Sequence, residues 1–184
     1  MVVFNNEIHL ARDVTKANAT QLNAFKSPLF GPVGIIYGKR VQFVRSAGLR
    51  ESIPVKEISA QVELIKFTLG TSNFLLEAVK DSAVDGVVIE GSGVGHVSET
   101  FADGIKTLVD AGKPVVLTTR CYAGLVLQDS YAYRGSEKNL RDIGVIVAPG
   151  LNGQKARIKL ILALSYTRDL NRIRNMFNTP IKYG

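Results

Sequence analysis

Apolar and polar positions alternate in short runs at the start of the chain and lengthen into a helix–strand rhythm later. Val2, Val3 and Phe4 predict a short strand, Asn5-Asn6 a turn, and Ile8 and Leu10 a second strand. Residues 11–32 are polar and irregular, broken by Pro28, Gly31 and Pro32. Gly34–Tyr37 and Val41–Val44 flank Gly38-Lys39 and predict a hairpin. Periodicity is lost over residues 46–60, SAGLRESIPVKEISA, which read as a linker.

From residue 61 the period changes. Val62–Phe67 predicts a strand, and Asn73 caps a helix carrying Phe74, Leu75, Ala78 and Val79. Gly86–Glu90 is a buried strand run. Ser98 opens a helix with Phe101, Ile105 and Leu108 on one face, stopped by Gly112 and Pro114. A strand at Pro114–Thr118 follows, then a short helix around Glu137–Arg141 and a strand at Val145–Val147. Near Asn152 a helix begins with Ile158, Ile161 and Leu162 on one face, and Asp169 caps a last helix along Leu170, Ile173 and Phe177. The order β-α-β-α-β-α-β-α-α predicts a parallel sheet covered by helices, with ligands expected at the carboxyl ends of its strands.

Composition leaves that picture intact. Of 184 residues, 46% are hydrophobic and 21% charged, enough for a core without a metal or disulfide. No apolar run approaches the ~20 residues of a membrane-spanning helix. The opening MVVFNNEIHLAR turns polar too early for a secretory leader, which by itself says little about compartment; the cytoplasm is slightly favoured. The net charge of +7 changes more. From Asn152 onward seven cations face one acid, Asp169. They interleave with apolar residues at helical spacing and read as the wet faces of packed helices. No aromatic stacking platform accompanies them, so a nucleic-acid partner is not expected.

Candidate chemistry is sparse. The loop Gly91-Ser-Gly-Val-Gly-His96 follows a strand and precedes a helix, so its N–H groups face where an anion would sit. It lacks the third glycine of a dinucleotide fingerprint, which leaves a tight turn or a small-molecule contact with His96 at the tip. A helix start beside His96 favours the neutral imidazole. His9 reads as a partly buried strand residue with no acid at ligand spacing. Cys121 stands beside Arg120 but reads as a structural cysteine at a strand end. There is no G-x-S-x-G elbow and no metal-ligand spacing. Lys16, in Asp13-Val-Thr-Lys16, reads alone as a surface lysine. A lysine near hydroxyls and shielded from water works as a base, because desolvation lowers its pKa.

The stretches FNNEIHLARDVTKANATQLNAFKSPLFGPVG, DGVVIEGSGVGHVSET, GKPVVLTTRCYAG, LRDIGVIVAPGLNGQKARIKLILALS and DLNRIRNMF resemble, in order, the second half of bacterial L-asparaginases and glutaminase-asparaginases. The resemblance implies an α/β fold: a Rossmann-like parallel sheet with helices on both faces, preceded by a short β-rich segment from an incomplete N-terminal domain. It divides the chain into residues 1–45, the end of that N-terminal domain; 46–60, a linker; 61–178, a C-terminal domain; and 179–184, a tail. The strands within residues 1–45 are then expected to lack sheet partners.

By the same resemblance Lys16 is the lysine of the family's Thr-Lys-Asp triad. The loop GSGVGH would reach the substrate of a neighbouring subunit. His96 stands where the family commonly has asparagine, and Tyr131 near the place of a second cross-subunit residue, often glutamate. Both are expected substrate contacts. The family's two threonines lie in Thr-Gly-Gly-Thr-Ile and Thr-Asp-Thr stretches of its first half, and neither string occurs here. A leader peptide would also lie in that half. The implied activity is hydrolysis of L-asparagine, with L-glutamine as the alternative substrate, in a homo-oligomer without cofactor or metal. This stretch alone is expected to be inactive. The wording G-x-G-x-G-H-V-S is similar to the asparaginase-like component of archaeal tRNA-dependent amidotransferases, which is one competing function. A non-catalytic assembly or binding module is the other.

Overall fold

A computed structural model describes residues 1–48 and 51–178. The expected tail at 179–184 lies outside them. Two compact units result, one within residues 1–52 and one within residues 53–178.

The first unit is built on hairpins. Strands β1 (Val2–Phe4) and β2 (Glu7–His9) pair antiparallel, with Val2 opposite His9. The connecting Asn5 and Asn6 take positive φ, 48° and 62°, which asparagine tolerates and a two-residue hairpin turn requires. The polar stretch expected to be irregular holds a small ribbon instead, β3 (Thr15–Lys16) against β4 (Phe25–Lys26). Two-residue strands are too short for alternation to reveal. Strands β5 (Gly34–Tyr37) and β6 (Arg40–Phe43) form the expected hairpin around Gly38-Lys39. The sheet order is β1-β2-β5-β6, so these strands find partners in one another, against expectation. Ile8, Leu10 and Val33 form a small core with Ile36 against it. The edge strand β6 is exposed along its whole length.

The second unit is the α/β sheet. Strands β7 (Val62–Lys66), β8 (Gly86–Gly91), β9 (Val115–Thr119) and β10 (Ile146–Val147) are all parallel, in the order β10-β9-β8-β7. Strand order thus follows chain order without reversal. Right-handed crossovers that always step in one direction place their helices on one face. Helices α1 (Phe74–Lys80), α2 (Glu99–Asp110) and α3 (Glu137–Asp142) accordingly share one core with Ile65, Val87, Ile89 and Leu117. Helices α4 (Gly153–Tyr166) and α5 (Leu170–Phe177) pack with Val62, Val88, Val116 and Ile146 on the other.

Most helix starts fall where the sequence placed them. Ser98, Ser136, Asn152 and Asp169 each accept a backbone N–H of the first turn, an interaction typically worth ~1 kcal/mol. Asn73 caps α1 without a side-chain hydrogen bond to the helix, and its Nδ2–H donates to the Thr100 carbonyl at 2.8 Å instead. Two buried faces differ from the expected ones. In α1 the buried residues are Leu76 and Val79, whereas Phe74 and Leu75 are exposed. In α4 they are Ala156, Leu160, Ala163 and Leu164, with Ile158 exposed and Ile161 and Leu162 half-buried. Alanines let α4 lie close over β7, β8 and β9, and bulk alone misreads that face.

The basic end of the chain serves the fold. The Arg157 Nε–H donates to the Val62 carbonyl at 2.6 Å, and Arg174 donates to the Gly144 carbonyl at 3.1 Å. Lys159 donates to the Met176 carbonyl and sits 5.0 Å above the Phe177 ring. Arg168 pairs with Asp85 at 2.5 Å.

Candidate functional site

The loop leaving β8 closes on itself. His96 N–H donates to the Ser92 carbonyl and Ser92 N–H to the His96 carbonyl, both at 2.8 Å. A Cβ on Gly91 would sit 2.7 Å from the Gly95 backbone, so the closure admits only glycine there. The imidazole of His96 emerges beside the segment that leads into α3. That segment is locked onto the loop at Gly135, whose carbonyl accepts the Val97 N–H at 2.9 Å. Gly135 has φ of +87°, and a Cβ there would meet the Val97 carbonyl at 2.4 Å.

Four side chains meet at this place. His96 Nε2 lies 2.8 Å from Glu137 Oε2, and the Tyr133 hydroxyl lies 2.6 Å from His96 Nδ1. Tyr131 and Tyr133 stand edge-on to the imidazole, with ring centroids 4.9 Å and 5.2 Å away. The second Glu137 oxygen accepts the N–H groups of Ser130 (2.7 Å) and Tyr131 (3.0 Å). Glu137 is 1% exposed, whereas Tyr131 and Tyr133 are each 51% exposed.

Electrostatics follow the contacts. Burial pushes the Glu137 carboxyl up, but the Tyr131 and Ser130 N–H groups, the His96 side chain and its own backbone N–H outweigh burial. The net effect holds Glu137 below the usual carboxylate range, and it is ionised near neutrality. Tyr133 is pushed up, by burial first and then by the charges of Glu137 and Tyr131, so its phenol keeps its proton.

Lys16 belongs to the first unit. It lies on β3 opposite Phe25 and is exposed, lining an open depression with Ala17, Asn18 and Ala19. The shielding from water that a lysine base requires is therefore absent in the first unit itself. Asp13, of the same D-V-T-K element, has a buried side chain that accepts from Arg45 at 2.9 Å. His9 is fully rather than partly buried, and its Nδ1 lies 2.9 Å from Ser27 Oγ. An acid does stand near it: Glu7 is 3.4 Å from Nε2, on the same face two residues back. Cys121 is exposed. Among the described residues no three His, Cys, Asp or Glu side chains are grouped to hold a metal, and no helix is long and apolar enough to cross a membrane.

Comparison with known proteins decides the lineage. Residues 61–177 match the Glutaminase/Asparaginase C-terminal domain, and residues 1–48 match Asparaginase, N-terminal. This chain belongs to the glutaminase/asparaginase family. It is 31% identical to L-asparaginase 2 of Escherichia coli (strain K12) over 97% of the chain and 51% of that protein. It is 33% identical to L-asparaginase 2 of Bacillus subtilis (strain 168), over 97% of the chain and 47% of that protein. It is 31% identical to a glutamyl-tRNA(Gln) amidotransferase subunit of Methanopyrus kandleri, over 95% of the chain and 39% of that protein. The chain thus spans about half the length, or less, of the curated relatives it matches.

In this family member the structure brings two of the three expected site residues together, His96 and Tyr131. Sequence reasoning missed Tyr133 and Glu137. Glu137 is 41 residues from His96, and its only local signal was an acid in the first turn of a helix. Tyr133, two residues beyond Tyr131, had no signal of its own.

Proposed function

We propose that this chain is the C-terminal portion of an L-asparaginase-like amidohydrolase, which converts L-asparagine and water to L-aspartate and ammonia. L-glutamine is the alternative substrate. The collinear match of both family domains over one chain carries this reading, with the D-V-T-K element in the first and the GSGVGH loop in the second.

Lys16 acts as a general base. It takes a proton from a threonine or a water, whose oxygen then attacks the side-chain amide carbon, and ammonia leaves with a proton returned to its nitrogen. Such a base needs a lowered pKa, and in this chain Lys16 is open to water. Covering by the family's first half supplies the desolvation. That half also brings the threonines, so the chain by itself does not turn over. His96 and Tyr131 contact the substrate of a neighbouring protomer in a homo-oligomer. The chemistry calls for no cofactor and no metal. Residues 1–45, 46–60 and 61–178 serve as the end of the N-terminal domain, the linker and the C-terminal domain, followed by a tail at 179–184.

The test is ammonia release from L-asparagine by the chain joined behind a relative's first half, with and without Lys16→Met. The loss expected is ~10²–10⁴-fold, the usual contribution of a general base. A folded joined protein indifferent to Lys16→Met overturns the assignment.

A second reading has an observation behind it, the likeness to the glutamyl-tRNA(Gln) amidotransferase protein over 95% of the chain. The same amide chemistry would then feed ammonia to a partner protein. Ammonia release that requires such a partner and an acceptor tRNA distinguishes it from free-standing hydrolysis.

A further inference from the structure

The hydrogen bonds around a neutral His96 fix which ring nitrogen carries its one hydrogen. An ionised carboxylate only accepts. One oxygen of Glu137 is filled by the Ser130 and Tyr131 N–H groups. The other lies 2.8 Å from His96 Nε2 and needs a donor, so Nε2 carries a hydrogen. On the far side, Nδ1 is 2.6 Å from a Tyr133 hydroxyl that keeps its proton and can give it to a lone pair. Two edge-on tyrosine rings resist rotation of the imidazole, which would exchange its nitrogens for carbons. The Gly135 and Gly91 closures hold both backbone segments at the required spacing.

We propose that Glu137 is a positioning residue of the candidate site, holding the hydrogen of a neutral His96 on Nε2 so that Nδ1 takes the Tyr133 hydrogen bond. The Tyr133 oxygen then turns lone pairs outward. Backed by the Glu137 charge, the cluster offers an acceptor to a ligand N–H and disfavours a ligand carboxylate. A His96 clamped as imidazolium in an ordinary ion pair would do the reverse. Both nitrogens would donate, and Tyr133 would spend a lone pair on Nδ1. The inference rests on the reading of His96 as a site residue. The tautomer, however, is observable without substrate, so it stands or falls separately from the asparagine assignment.

The experiment is ¹⁵N NMR of the histidine rings in the full chain at about pH 8, above the ordinary imidazole range. The chain has two histidines, and His9→Gln leaves only the His96 signals. The expected result is hydrogen on Nε2 and none on Nδ1. Tyr133→Phe keeps that pattern, because Glu137 still demands a donor. Glu137→Gln reverses it: the amide oxygen still accepts from Ser130 and Tyr131, while the amide NH₂ now faces Nε2 and drives the proton to Nδ1. Purely structural support would not move the proton. Backbone amide spectra establish that each variant is folded. Should the Gln variant not fold, the parent and Tyr133→Phe spectra decide. Both nitrogens protonated, Nδ1–H in the parent, or a folded Glu137→Gln variant that retains Nε2–H overturns the proposal.

Discussion

Glu137 and His96, 41 residues apart, meet at 2.8 Å because the β8–α2 loop and the entry to α3 are locked together through Val97 and Gly135. The carboxylate is buried and fully engaged. Glu137→Ala strands the two backbone N–H groups and removes the His96 partner, so a loss of about 2–6 kcal/mol is expected, at ~1–3 kcal/mol for each buried backbone donor left unsatisfied. Denaturant unfolding monitored on the second unit measures it. A loss under about 1 kcal/mol, the scale of a surface pair, would make the contact marginal.

The same carboxylate makes stability depend on acidity. Its folded pKa lies below the ordinary value, so the unfolded chain takes up the proton first as pH falls. The stabilisation is complete above the ordinary glutamate range, ~4.3, and is lost as pH drops through the folded pKa. Unfolding curves from neutral pH into the acid range should decline more steeply for the parent than for Glu137→Gln. Parallel curves would remove Glu137 from the acid response.

Gly135→Ala tests the lock directly. At φ +87° and 2.4 Å from the Val97 carbonyl, a methyl is strained by conformation and by contact. The left-handed conformation alone costs ~1–2 kcal/mol, so a total above that is expected. Gly31→Ala shares the positive φ, +70°, but has nothing within 4 Å, and should show only the conformational part. Equal losses in the two variants would contradict the close approach.

Core packing around α2 gives a reference scale. Phe101 is fully buried, with its ring 5.1 Å from Phe67. Phe101→Ala should cost ~3–5 kcal/mol in the same unfolding assay. A smaller loss would mean that the site collapses around the missing ring.

The sheet was legible because its strands are continuous apolar runs separated by capped helices. Ser98, Gly112 and Pro114 bracket α2 as the sequence indicates, and Phe101, Ile105 and Leu108 are its buried face. Faces built on small residues were not legible, since Ala156 and Ala163 carry little hydrophobic signal beside Ile158. The β3–β4 ribbon escaped because two-residue strands have no period. At the site, His96 was legible from the glycine loop that carries it, whereas Tyr131 was reached through family resemblance alone. Glu137 and Tyr133 join them through long-range loop docking, which leaves no local pattern. Lys16, read alone as a surface lysine, is exposed, and only the resemblance singles it out.

Amide hydrolysis, on this account, depends on Lys16 together with threonines this chain does not carry. The most direct measurement is ammonia release from L-asparagine under one set of conditions by three purified proteins. These are the chain alone, the chain joined behind the unmatched first half of L-asparaginase 2 from Escherichia coli, and that joined protein with Lys16→Met. The prediction is no release above background from the chain alone, sustained release from the folded joined protein, and a drop of ~10²–10⁴-fold on Lys16→Met. Release by the chain alone that disappears with Lys16→Met would contradict the claim, as would a folded joined protein whose rate ignores Lys16.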